Sequence, residues 1–325
     1  MREIVFLRKH SDKWKEFEEI LKNPKETHPD RLADLYIDLT NDLAYAQSNY
    51  PESKTTDYLN QLSIRVHDNL YKSKKENKRR IITFWTQEIP LLYATKQKEL
   101  FYSFVIFALA FIIGFFSAKN DPAFVRLVLG DAYVNLTIDN IENEDPLGIY
   151  KRQRPLDMFS AITFNNVLVS FNVFIAGIFT SIRAAYILFV NGISIGSFFQ
   201  FFSTYGLLEK SILVVFIHGT LELSAIVLAG AAGIAFGNSF LFPGTYTRTK
   251  SFIKGGKEGM KMVVGLFPVF VLAGFLESFV TRYTEMPLWL SLFIIIGSLV
   301  FILFYFIYLP ITLKKKHTEL QYEQA

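Results

Sequence analysis

Cysteine is absent from the 325-residue chain. That excludes disulfide scaffolds, thiolate metal sites and cysteine nucleophiles. Histidine is scarce too: there are five, and only His218 lies inside a long apolar run. His218, Glu222 and Glu277 would supply three metal ligands, but no second histidine lies in an apolar run and no H-E-x-x-H occurs. A metal-dependent hydrolase is therefore the least favoured reading of those residues. No Ser–His–Asp set, phosphate loop or dinucleotide fingerprint is visible, so neither an enzymatic activity nor a cofactor or metal is expected. The opening stretch "MREIVFLRKHSDKWKEFEEI" has no apolar core long enough for a signal peptide.

Charge is sparse after residue 100. More than half of the Lys, Arg, Asp and Glu precede it, while the long apolar runs follow it. With a mean hydropathy of +0.25, the asymmetry predicts a soluble head followed by an integral membrane part. Residues 1–80 should form a small helical bundle. Its first helix is expected to be capped by Ser11, the second by Asp30, and the third to begin near Thr55 or Thr56. "KSKKENKRR" is a solvated basic run, and residues 81–99 read as an interfacial elbow with Phe84 and Trp85 at headgroup level. The outer loop near Pro146 and Leu147 has two readings, a short interfacial helix or a docking element for a partner.

A hydrocarbon core of roughly 30 Å needs about 20 apolar residues. Six segments qualify: 100–118, 158–180, 184–202, 212–237, 260–280 and 287–309. The expected fold class is all-α, a polytopic helical membrane protein spanning residues 100–311, with a cytoplasmic helical bundle before it and a basic tail at 312–325. Lys and Arg in short loops set orientation. Placing both termini in the cytoplasm puts the 72–80 run, Arg183, the basic 248–261 stretch and Lys314–Lys316 inside. Only "KRQR" at 151–154 is then a basic cluster left outside. The basic runs border spans, so they read as anchors at anionic headgroups rather than nucleic-acid contacts.

The span "VVFIHGTLELSAIVLAGAAGIAFG" carries a histidine and a glutamate one turn apart. At 100° per residue, His218, Glu222, Ala225, Ala229, Ala232 and Gly233 share one face, with Phe216, Leu223, Val227 and Ile234 opposite. Small residues let helices approach in lipid, so Gly192, Gly219, Ala225, Ala229 and Gly233 are expected at helix contacts, and Gly230, Gly233 and Gly237 would permit a homodimer. An ionised Glu facing lipid would cost at least a few kcal/mol. Asn165, Asn166, Asn191 and Glu277 lie at similar depth in other spans, so one polar cluster with His218 and Glu222 is expected. It has three readings: hydrogen-bonded structural glue, a proton or small-solute path, and the metal site.

These residues resemble the stage II sporulation protein M family of bacterial membrane proteins. In the head the likeness rests on Trp14, on "LYIDLTNDLAYAQ" (Tyr36, Asp42) and on "RVHDNLY" (Arg65, His67, Tyr71); in the membrane part it rests on "NNVLVSF", "NGISIG", "HGTLELSAIVLAGAAG" and "LESFVT". It extends over nearly the whole chain. The resemblance implies a non-catalytic scaffold in the bacterial inner membrane. Its implied partners are peptidoglycan-degrading proteins at the envelope or AAA-type ATPases. The long head, which the short sporulation namesake lacks, points to the wider family. The head motif residues are expected to pack or hydrogen-bond within the bundle, or to form a partner site. A permease moving protons or a small solute is the alternative.

Overall fold

The computed structural model describes residues 2–22, 29–71, 79–148, 154–283 and 286–315. The basic runs at 72–78 and 151–153 and the tail from 316 onward lie outside the described residues. Every regular element described is helical, and the chain divides into two units, Met1–Arg80 and Ile81–Ala325.

The first unit contains α1 (Glu3–Lys22), α2 (Pro29–Asn49) and α3 (Lys54–Tyr71). Their apolar stripes close one core of Phe6, Trp14, Phe17, Leu35, Leu39, Ala46, Leu59 and Leu62. Helix α1 begins well before Ser11, because Phe6 is buried and packs against Tyr45 of α2 at 5.1 Å between ring centres. Tertiary contact holds the extra turns. Helix α2 begins at Pro29, a residue suited to a first turn, rather than being capped by Asp30. At the start of α3 the cap belongs to Ser53, whose hydroxyl accepts from the Thr56 N–H at 3.2 Å. Thr55 and Thr56 are buried instead, donating to Glu3 and to the Tyr50 carbonyl, each at 2.7 Å.

One polar centre lies inside this core. The Asp42 carboxylate accepts the Trp14 indole N–H at 2.9 Å and meets His10 Nδ1 at 3.0 Å. Tyr36 packs partly buried against the same core, and Arg65 is an exposed residue 3.6 Å from Glu18. The side chains of His67 and Tyr71 lie outside the described residues.

The second unit opens with α4 (Arg79–Thr83), a π-helical turn (Phe84–Glu88) and α5 (Ile89–Thr95). Six long apolar helices follow. The first is α6 (Gln97–Asn120). Two short helices, α7 (Pro122–Leu129) and α8 (Asp131–Glu142), then lead to α9 (Pro155–Ala176), α10 (Ser181–Thr204) and α11 (Leu208–Leu241). The fifth crossing combines α12 (Arg248–Gly265), α13 (Phe267–Phe275) and a second π turn (Leu276–Val280). The sixth, α14 (Leu288–Leu303), also runs into a π turn. The fifth crossing breaks at Leu266, two residues before Pro268, whose missing N–H cannot continue the ladder.

The elbow is docked more deeply than a surface element. The Trp85 indole donates to the Gly265 carbonyl at 3.2 Å, the Tyr305 hydroxyl donates to the Trp85 carbonyl, and Lys261 pairs with Glu88 at 2.8 Å. Helices α7 and α8 fold over the Thr204 end of the bundle. Their Val125 and Val134, with Leu147 of the following turn, pack on Phe201, Phe202 and Val214. Burial there pushes the Tyr133 phenol up to about 12. Asp121 starts α7 by accepting the Ala123 N–H at 2.9 Å.

Helix α11 is the post around which the other crossings gather. Residues 225–237 are buried without interruption, including Val227 and Ile234 on the side opposite His218 and Glu222. An element apolar all round belongs in the interior of a bundle. Gly233 lies so close to Gly177 and Val173 that a side chain at 233 would strike backbone; Gly237 abuts the Ser181 backbone in the same way, and Gly230 the Ser103 hydroxyl. These glycines are consumed within the chain and offer no face to a second copy. Gly192 is likewise pressed on Phe107 and Ala110 of α6, and Ala225 and Ala229 are fully buried. Gly219 differs from the expectation: a side-chain carbon there would meet only Val215 of its own helix, at an ordinary 3.5 Å.

Two outcomes follow from this packing. Gly219→Ala should raise the melting temperature of the detergent-purified protein, by about 0.5–1 kcal/mol of helix propensity, whereas Gly233→Ala should lower it; the reverse order would contradict the close approach at α9 and α10. Asp42→Ala leaves a buried indole N–H without its acceptor and should destabilise the head by about 2–3 kcal/mol. Limited proteolysis of the full chain should then cut residues 1–80 faster while leaving the second unit's rate unchanged.

Candidate functional site

Three segments distant in sequence build the site. Helix α11 contributes His218 and Glu222, one turn apart and therefore on one face. The π turn after α13 contributes Glu277 and Ser278, and Thr281 follows at its end. The wide i→i−5 bond from the Thr281 N–H to the Leu276 carbonyl, 2.8 Å, closes that turn. Single π turns of this kind are frequent where a helix must re-aim a functional side chain. Helix α9 contributes Thr163, Asn166 and Ser170, which follow one another at helical spacing on the side facing α11 and α13.

One ligand atom from each of His218, Glu222 and Glu277 lies within 4.8 Å of the others. His218 Nδ1 is 3.0 Å from the Thr281 hydroxyl, and that hydroxyl donates its single proton to the Leu276 carbonyl at 3.1 Å. Thr281 therefore accepts from His218, which assigns the N–H to Nδ1 and leaves Nε2 with its lone pair. Nε2 faces Glu277 Oε2 across 3.9 Å, too far for a hydrogen bond. The two side chains are 5% and 15% exposed.

The surroundings are polar and under-satisfied. The Asn166 amide lies beside the Glu222 carboxylate without reaching hydrogen-bond geometry. Asn166 Nδ2 and the hydroxyls of Thr163, Ser170 and Ser278 are all buried without a partner among the described residues. Buried polar atoms in folded proteins are nearly always paired, so the unpartnered Asn166 amide beside Glu222, with the Ser278 hydroxyl next in the chain to Glu277, marks a place prepared for something besides the helices themselves.

The expected cluster is thus assembled in part. His218, Glu222, Glu277 and Asn166 meet; Asn165 and Asn191 do not join them. Asn165 is exposed, since one residue along a helix turns it 100° from Asn166. Asn191 donates its amide to the Ile187 carbonyl of its own helix at 2.8 Å, which satisfies it locally. Thr281, Ser278, Thr163 and Ser170 escaped the sequence reading because hydroxyls are unremarkable in apolar helices. The spacing of Thr163, Asn166 and Ser170 was the available signal.

Six long apolar helices, a small helical head and a polar site sealed between three crossings define a multi-pass membrane protein. The chain belongs to the stage II sporulation protein M family, whose model matches residues 103–282 and so takes in His218, Glu222, Asn166 and Glu277. Residues 4–72 match a different family, described as a domain of unknown function (DUF8413). The family likeness therefore ends short of the head, and Trp14, Tyr36, Asp42 and Arg65 belong to a separate domain type. No curated protein and no solved structure matches the chain.

Substitutions at two neighbouring hydroxyls should diverge. Thr281→Val strips the acceptor from a buried imidazole N–H and should destabilise the protein by about 1–3 kcal/mol. Ser278→Ala removes a hydroxyl that has no partner and should leave the melting temperature unchanged or higher. Equal losses at both would contradict the hydrogen-bond assignment.

Proposed function

We propose that this protein is a non-enzymatic membrane scaffold of the stage II sporulation protein M type. On this reading it sits in the bacterial inner membrane with both termini cytoplasmic. The head, chiefly Leu35–Tyr71, engages cytoplasmic factors such as an AAA-type ATPase. The membrane unit couples them to an envelope process involving peptidoglycan. Neither face is proposed to contact nucleic acid. A homodimer would have to use a surface other than the glycines of α11.

The observation that carries this reading is the uninterrupted burial of residues 225–237 on every side of α11. The polar site lies toward the Leu208 end of that helix, and the buried stretch beyond it, 225–237, is made of apolar and small residues. A unit packed in this manner suits a rigid anchor. Orientation rests on the placement of Lys and Arg in short loops.

Absence of cysteine makes orientation directly testable. In intact cells stripped of outer wall, an impermeant maleimide should label Asn135→Cys but neither Ser48→Cys nor Lys315→Cys; the opposite pattern would invert the topology. Native-membrane pull-down in mild detergent should recover an ATPase or a wall hydrolase with the intact chain, and lose the cytoplasmic partner when Arg65 is changed to Glu. Recovery of no specific protein would count against a scaffold.

A second reading, movement of protons or a small solute, is favoured by the two carboxylates held between apolar helices. Glu222→Gln with His218→Asn keeps approximate volume while removing titratable groups. Cells that retain full function with this folded, inserted variant would exclude that reading.

A further inference from the structure

We propose that His218, Glu222 and Glu277 form a binding site for one divalent transition-metal ion, which ties α11 to the π turn after α13. This goes beyond the scaffold reading and does not depend on it. Three ligand atoms already lie within 4.8 Å of one another. An ion at about 2.1 Å from each in tetrahedral geometry requires separations of about 3.4 Å, so small rotations of the two glutamate side chains complete the set.

The state of the imidazole supports the same conclusion. Thr281 takes the Nδ1 proton, so Nε2 presents a lone pair to a carboxylate oxygen 3.9 Å away. A metal ion placed in that gap would be held by both atoms. A histidine oriented through its second nitrogen by a hydrogen-bond partner is the usual arrangement around a bound metal. Thr281 is that positioning residue.

Charge points in the same direction. Among the described residues, neither Glu222 nor Glu277 pairs with a lysine or arginine. A divalent ion would neutralise both carboxylates within the bundle, where an uncompensated charge is expensive. Asn166, only 5% exposed, points an unpartnered amide at this group from α9. Its carbonyl oxygen, or a water, would fill a remaining ligand position. One imidazole nitrogen with carboxylate oxygens suits zinc or manganese better than calcium or magnesium, which favour all-oxygen sites.

The test uses the full chain, purified in mild detergent, stripped with a chelator and titrated with Zn2+ and with Mn2+. The expected result is one ion per chain by elemental analysis and a higher melting temperature on loading. His218→Asn, Glu222→Gln and Glu277→Gln should each weaken binding at least tenfold. His10→Asn in the head should leave it unchanged, and Thr281→Val should weaken it several-fold while keeping the stoichiometry. Should a ligand variant fail to fold, X-ray absorption on the zinc-loaded native chain decides: one imidazole with oxygen ligands supports the site, two or more imidazoles overturn it. Failure of the native chain to bind either ion, or undiminished binding by a folded Glu222→Gln, Glu277→Gln double variant, would also overturn it. Partner capture is read separately, so either proposal can fail without the other.

Discussion

Ionisable side chains in a hydrocarbon environment must find polar company or be exposed to acyl chains at a cost of several kcal/mol. Helix α11 carries two of them, His218 and Glu222, on one face of an otherwise apolar element. Much of the membrane unit can be understood as the answer to that constraint. The helix is drawn to the centre, α9 turns its polar stripe toward it, and a π turn swings Glu277 inward from the fifth crossing.

The same helix solves two problems along its length. Near its start, polar groups from three segments meet. Farther on, alanine and glycine let α9 and α10 come to backbone contact, with Gly177 and Gly233 placed against each other and Gly237 against Ser181. Lipid chains offer no hydrophobic drive for helix association, so dispersion over such close contacts and a few buried hydrogen bonds must supply it. One of these is the bond from Ser103 to the Val227 carbonyl, at 2.6 Å, which fastens α6 to the same post. The head works by different means, with a water-driven apolar core and a single buried carboxylate, Asp42, that fixes Trp14 and His10.

Much of this arrangement could be read from the chain beforehand. The six crossings were legible because length and hydropathy alone dictate them. That His218 and Glu222 would turn away from lipid toward Glu277 followed from the cost of the alternative. What could not be read were features set by neighbours. Helix α1 begins at Glu3 because Phe6 finds Tyr45 of α2, a contact that local capping signals do not encode. Periodicity places Val227 and Ile234 opposite His218 but does not say what covers them, since it cannot distinguish a lipid from a leucine; in the fold both are buried. Asn165 and Asn166 are adjacent and chemically identical, and only the rotation of α9 decides which one enters the site. Gly219 sits in a motif rich in small residues, yet a side-chain carbon there would meet only Val215 of its own helix.

The central claim is that side chains of α11 and of the turn after α13 interact directly rather than merely sharing a depth. A double-mutant cycle on the melting free energy of the metal-stripped protein, using His218→Asn and Glu277→Gln, tests it most directly. Contact predicts a coupling of about 1 kcal/mol or more between the two changes, whereas additivity within about 0.3–0.5 kcal/mol, the behaviour of independent sites, would contradict it.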